Sequence, residues 1–142
     1  MTDKKIVISE FAPDRALAIL QWLPEAQVVR RYAGERLPSS FDALIMGGGP
    51  MSADAEGRRV TPFLEEDAQV IRACACGPWT APLIVGICLG AQLIVEALGG
   101  SVVEGEWVRG WRRMATDVRN TIFCGRQRVT QFQYHRNHIL RL

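Results

Sequence analysis

The stretch PLIVGICLGAQLIVEALGG, residues 82–100, joins two apolar segments of different character through a single cysteine. Residues 81–87, APLIVGI, form an unbroken apolar run, the pattern of a strand covered on both faces. Residues 89–100, LGAQLIVEALGG, read as a helix stopped by Gly99 and Gly100. Between them, Gly86-Ile87-Cys88-Leu89-Gly90 has the form of a nucleophile elbow, a strand-to-helix turn too sharp for bulky neighbours. Such a turn lifts Sγ toward solvent and sets it at a helix N-terminus, where unsatisfied N–H groups favour a thiolate. The backbone N–H of Leu89 would then face the oxyanion formed when Sγ attacks a carbonyl. The competing explanation is a buried cysteine acting as a small hydrophobe, which requires no glycine on either side.

Working outward, the pattern predicts a strand at 4–9 (KKIVIS) and a helix at 13–23 (PDRALAILQWL) with Pro13 in its first turn. Further strands are expected at 26–32 (AQVVRRY) and 41–46 (FDALIM), separated by a polar loop at 34–40. The strand at 41–46 runs into Gly47-Gly48-Gly49-Pro50, and a polar stretch at 51–59 (MSADAEGRR) leads on from there. A helix then begins with Thr61 as N-cap and Pro62 at N1, and Glu65 and Glu66 favour its positive end. After Ser101 the chain reads as short strands at 101–105, 112–118, 120–125 and 128–135, divided by Gly, Asp and Asn turns.

Strands alternating with helices imply an α/β fold: one domain over 1–142, a flavodoxin-like, doubly wound and mostly parallel sheet with flanking helices and a β-rich C-terminal extension. In such sheets ligands sit beyond the carboxyl ends of the strands, and both glycine-rich loops, 47–50 and 86–90, fall there. Gly47, Gly48 and Gly49 offer bare backbone N–H groups as a second set of oxyanion donors.

Composition excludes more than it identifies. The chain has 142 residues, 48% hydrophobic and 23% charged, which allows one domain with a real core. A net charge of +2 argues for neither nucleic acid nor membrane surface, and Arg109, Arg112, Arg113, Arg119, Arg126 and Arg128 read as a solvated face. The opening residues lack a secretory h-region, and no window reaches the ~18 apolar residues of a membrane span. Cys74, Cys76, Cys88 and Cys124 therefore read as free thiols in a reducing cytoplasm. Cys74-Ala75-Cys76 invites a metal reading, but Cys88, Cys124, His135 and His138 lie at no ligand spacing, so neither metal nor cofactor is expected.

FDALIMGGGPMSADAE, followed by PLIVGICLGAQLIVEALGGSVVEGE and then Gly110-Trp111, resembles the class I glutamine amidotransferases, in particular their GMP-synthase-like stand-alone branch. The resemblance implies glutamine as substrate and hydrolysis of its side-chain amide through a Cys88 thioester, with ammonia passed to an acceptor on a partner domain. It implies Leu89 and Gly49 as oxyanion donors, Gly48 as shaping the same loop, and Gln92 as helping to hold the glutamine. Read without the resemblance, Gln92 is a polar residue on the exposed first turn of a helix.

The family draws its general acid and base from a late His-Pro-Glu stretch, which this chain lacks. Its histidines are His135 and His138, no Asp or Glu follows Asp117, and Arg109 stands where this branch usually carries an acidic residue. Residues 128–142 resemble the strand and loop ahead of the catalytic histidine, so the expected domain is incomplete at its C-terminus. Three readings follow: an amide-transfer enzyme; a truncated, catalytically incomplete relic that binds or regulates; and a thiol hydrolase or redox protein using Cys88 without a triad. A sheet lacking its last strands would also expose an edge open to self-association or a complementing partner.

Overall fold

Short β-branched and apolar runs build the sheet. Ile6–Glu10 (β1), Gln27–Arg30 (β2), Ala43–Met46 (β3) and Leu83–Gly86 (β4) pair in parallel in the order β2-β1-β3-β4. This is the doubly wound, flavodoxin-like arrangement that alternating strands and helices imply. The computed structural model describes residues 4–78, 81–116, 119 and 124–141. Its contacts fall into two compact units, Met1–Val102 with Ile139–Leu142, and Val103–His138.

The interior strands carry the core of the first unit: Val7, Ile8, Leu44 and Met46 are fully buried. Leu64, Ala68 and Ile71 from helix α3 (Pro62–Ala75) and Leu89 and Leu93 from helix α4 (Leu89–Ala97) close over Val7, Leu44 and Met46. β4 departs from the sequence expectation of a strand covered on both faces. It is an edge strand of the described sheet, Leu83 is 64% exposed and the remaining three residues are half-buried. An apolar run identifies the strand but not its place in the sheet.

Helix α1 is shorter than the expected 13–23, spanning only Leu17–Leu20. Asp14 adopts φ 63°, a left-handed conformation that breaks a helix begun at Pro13. Instead, the Ala16 N–H donates to Glu10 Oε1 at 2.8 Å. The polar stretch at 51–59, given no element from sequence, leads into helix α2 (Ala55–Val60), capped by Asp54, whose carboxylate accepts from the Gly57 N–H at 2.7 Å. Pro62 sits at the start of α3 as expected, but the Thr61 side chain makes no cap bond. Its N–H is already held by the Gly57 carbonyl at the end of α2. Gly99, at φ 86°, ends α4, with the Gly99 and Gly100 N–H groups bonding back to Glu96 and Val95.

Past residue 100, the expected short strands merge into two long ones, β5 (Ser101–Ala115) and β6 (Arg128–Arg141), which pair with each other. Trp107 meets Tyr134 and Trp111 meets Phe132, so the strands run antiparallel. The glycines taken as breaks are absorbed within β5. Gly110 bends it at φ 122°, and at Gly105 a Cβ would lie 2.6 Å from the His138 ring. Residues 117, 118 and 120–123, part of the expected strands 112–118 and 120–125, lie outside the described residues. Among the described residues no helix is long and apolar enough to cross a membrane.

Candidate functional site

Register brings the two glycine-rich loops together. Met46 pairs with Gly86, so Gly47 and Ile87 leave the sheet side by side at its carboxyl edge. The Ile87 N–H donates to the Met46 carbonyl at 2.9 Å, and the Gly90 N–H to the Gly47 carbonyl at 3.1 Å. Cys88 caps α4 with φ 55° and ψ −112°, a conformation few non-glycine residues adopt, and it is exposed. The framing glycines are required by close approach. A Cβ on Gly86 would lie 2.5 Å from the Ala91 nitrogen, and one on Gly90 2.7 Å from Met46 Cβ. The buried-hydrophobe reading of Cys88 is thereby excluded.

The triple-glycine loop faces the sulfur. A Cβ on Gly48 would stand 3.4 Å from Cys88 Cβ and 3.8 Å from its Sγ. One on Gly49 would press within 3.0 Å of the Leu89 side chain and 3.2 Å of Phe11, the residue that follows β1. Three strand ends thus converge, and Phe11 is a contributor that sequence pattern alone did not single out. Among the described residues the N–H groups of Gly48, Gly49 and Leu89 have no hydrogen-bond acceptor, while that of Gly47 is used by the Ser9 carbonyl. Gln92 is 8% exposed rather than on an exposed turn, and its N–H donates to the Cys88 carbonyl at 3.1 Å.

The histidines belong to the hairpin and engage one another there, their rings 5.1 Å apart. His135 Nδ1 meets the Asn137 carbonyl and His138 Nε2 the Glu106 carbonyl, each at 3.0 Å. Neither ring contacts a carboxylate among the described residues.

Two charged networks lie beneath these loops. Arg58 of α2 reaches Glu65 of α3 and Glu96 of α4, and Arg72 also binds Glu65. The Arg72 guanidinium, with Arg58 beside it, holds the Glu65 carboxyl below the usual carboxylate range. The second network is buried. Asp67 accepts from Ser9 Oγ at 2.7 Å and from Arg31 Nε at 3.0 Å, and Arg31 also binds Glu66. Burial pushes the Asp67 carboxyl up to about 6 against the opposing pull of Ser9 and Arg31. A cavity of about 290 Å³ is lined there by Arg31, Arg36, Leu37, Glu66, Asp67 and Val70, none of them from the Cys88 loops.

The family model described as glutamine amidotransferase class-I matches residues 17–141. The chain belongs to the class-I glutamine amidotransferase family. It is 35% identical over 100 residues to the glutamine amidotransferase-like protein YfeJ of Salmonella typhimurium, covering 64% of this chain and 40% of that protein. It is 35% identical over 105 residues to the glutamine-hydrolysing GMP synthase of Thermotoga maritima, covering 73% of this chain and 18% of that one. The chain therefore spans less than half the length of these curated relatives. In fold it resembles a glutamine amidotransferase from Thermotoga maritima, with a TM-score of 0.78, 23% identity, and 97% of this chain and 63% of that chain covered. For a glutamine amidotransferase from Methylobacillus flagellatus the TM-score is 0.71 at 26% identity, covering 94% and 56%.

Proposed function

We propose that Cys88 is the nucleophile of a glutamine-binding site that carries out the opening half of an amide transfer. The observation supporting this reading is Cys88 itself: exposed, at φ 55°, opening α4, with Gly48 against its sulfur. In the reaction, Sγ adds to the side-chain carbonyl carbon of glutamine and the negative charge moves onto oxygen. The free N–H groups of Gly49 and Leu89 receive that charge, and Gly48 leaves room for it. The C–N bond then breaks, nitrogen takes up a proton and leaves as ammonia, and a glutamyl thioester remains. Water attack on the thioester returns the thiol and releases glutamate. Gln92, buried in the first turn of α4, helps to hold the substrate. The ammonia would serve an acceptor on a partner domain or chain.

Proton delivery favours a second reading. The leaving nitrogen and the attacking water both call for an acid–base group oriented by a carboxylate. Neither His135 nor His138 has such a partner among the described residues; His135 Nδ1 and His138 Nε2 instead meet backbone carbonyls within the hairpin. On that reading the chain binds glutamine and forms the thioester slowly, with little turnover. Loss of a triad's base removes several powers of ten in rate, while binding and the oxyanion donors persist.

One experiment separates the readings. Glutamate release is measured with the parent and with Cys88→Ala, while mass spectrometry follows labelling of Cys88 by the glutamine-like diazo ketone 6-diazo-5-oxo-L-norleucine. Turnover abolished by Cys88→Ala supports the enzyme, and labelling without turnover supports the incomplete site. A Cys88 that reacts with iodoacetamide but is never labelled by the diazo ketone refutes glutamine binding.

A further inference from the structure

We propose that Arg58 is a positioning residue that holds the triple-glycine loop in register with Cys88, an assignment that rests on the glutamine-site reading above. The loop between β3 and α2 is secured at both ends and bare in the middle. Its near end is fixed at Gly47, whose N–H binds the Ser9 carbonyl at 3.1 Å and whose carbonyl accepts from Gly90 at the same distance. Its far end is fixed by Arg58, whose Nη1 donates to the Ala53 carbonyl at 2.6 Å. The Gly49 N–H, which is to meet the developing charge, lies between these anchors, with Gly48 beside it.

Arg58 does not grip Ala53 in isolation. The same Nη1 lies 3.4 Å from Glu96 Oε2 on α4, and Nε lies 2.9 Å from Glu65 Oε2 on α3. Glu96 is held in turn, its Oε1 accepting from the Val102 N–H at 2.8 Å. Glu65 is shared with Arg72, whose Nε donates to the Ala97 carbonyl at 3.2 Å. The far end of the loop is thereby tied to the helix that Cys88 opens, so loop and nucleophile share one frame. A planar guanidinium suits the task because it serves a carbonyl and two carboxylates from one fixed fork, which an ammonium does not. Its side chain is 13% exposed, so water competes little for these bonds. Among the described residues Arg59, the next one along, pairs only with Glu56 on its own helix, and it is 71% exposed. It serves as an internal control.

The test compares the parent chain with Arg58→Ala, Arg58→Lys, Glu96→Gln and Arg59→Ala. Labelling of Cys88 by 6-diazo-5-oxo-L-norleucine is timed against labelling by iodoacetamide, which needs no oxyanion donors, and amide hydrogen exchange is read over residues 47–54. Arg58→Ala is expected to slow the diazo ketone about tenfold or more, the scale set by ångström-level misplacement. Iodoacetamide should stay within about twofold, and exchange at 48–53 should quicken. Arg58→Lys should recover part of the loss, Glu96→Gln should fall between, and Arg59→Ala should match the parent. Equal diazo-ketone rates and equal exchange in Arg58→Ala and parent overturn the assignment and leave the glutamine reading standing. A parent that never takes the diazo ketone refutes the glutamine reading instead, and exchange over 47–54 then decides whether Arg58 holds the loop. If Arg58→Ala does not fold, Arg58→Lys and Glu96→Gln carry the test, and parity of both with the parent overturns it.

Discussion

Gly90→Ala puts the elbow to its most direct trial, because the added methyl group has nowhere to go. It would sit 2.7 Å from Met46 Cβ and 2.8 Å from the Met46 carbonyl carbon, and closer still to the carbonyl oxygen. Non-bonded carbon atoms settle at about 3.5–4.0 Å, so α4 or the end of β3 must yield by roughly 1 Å. The atoms in the way are the carbonyl group and Cβ of Met46 on a buried central strand, none of which a side-chain rotation moves. That same carbonyl accepts from the Ile87 N–H, and the Gly90 N–H binds Gly47. Overpacking costs about 1–3 kcal/mol and the two strained hydrogen bonds about 0.5–1.5 kcal/mol each, giving a loss of about 2–6 kcal/mol. Urea denaturation followed by circular dichroism measures that loss, and iodoacetamide labelling reports whether Cys88 keeps its exposure. A variant within about 1 kcal/mol of the parent, with Cys88 alkylated at the parent rate, would refute the close-approach account of the elbow.

Other outcomes follow from the same contacts. Asp67, with its carboxyl raised to about 6 in the fold against 3.8 unfolded, binds its proton more tightly when native. Its contribution therefore grows as pH falls from about 7 to 4, by up to about 3 kcal/mol, and is lost as pH rises through 6; urea midpoints across that range should lose this slope in Asp67→Asn, and an unchanged slope would show another group responsible. Asp54→Ala removes the α2 cap and should cost about 1 kcal/mol, read as a lowered urea midpoint. Among the thiols, limited iodoacetamide treatment with peptide mass spectrometry should find Cys88 modified first and Cys74 last, since burial pushes the Cys74 thiol up; Cys88 as the slowest would sink the elbow reading. The unpaired outer edge of β4, with Leu83 64% exposed, should promote self-association at high concentration that Leu83→Lys suppresses, as judged by light scattering.

What could be read in the sequence was whatever rests on local rules. Apolar runs located β1 to β4 to within a few residues, and the glycines around Cys88 announced the elbow because steric exclusion acts over adjacent positions. The missed features arise from contacts distant in sequence. Helix α1 starts late because Asp14 turns left-handed at φ 63°, and Glu10, six residues before Ala16, takes the N–H at the new start. Helix α2 was concealed in a polar stretch, although Asp54 three residues before Gly57 was a cap signal open to reading. β4 was apolar enough for an interior strand yet lies at an edge, since partner count is a property of the whole sheet. The hairpin was divided too finely because Gly105 and Gly110 serve a ring contact and a bend within β5, which composition cannot distinguish from turns. Arg58 was invisible for a related reason: its partners stand 7 and 38 positions away.

The two halves of the candidate site are consequently held by different physics. On the Cys88 side, order comes from backbone packed against backbone at Gly86, Gly90 and Met46, contacts indifferent to pH and salt. On the loop side, it comes from Arg58, Glu65, Arg72 and Glu96, groups whose pairing weakens when the carboxylates protonate or salt screens them. Glu65, whose carboxyl is held below its ordinary range, keeps its pairs through that range and releases them as pH falls further, through its lowered folded value. Acid and high salt should therefore loosen the triple-glycine loop before they disturb the Cys88 elbow. On the proposed glutamine-site reading, such a chain keeps a reactive, exposed sulfur under conditions in which it no longer takes the glutamine-like diazo ketone. Alkylation of Cys88 and recognition of glutamine are in that sense separate properties, and a test of one does not stand in for the other.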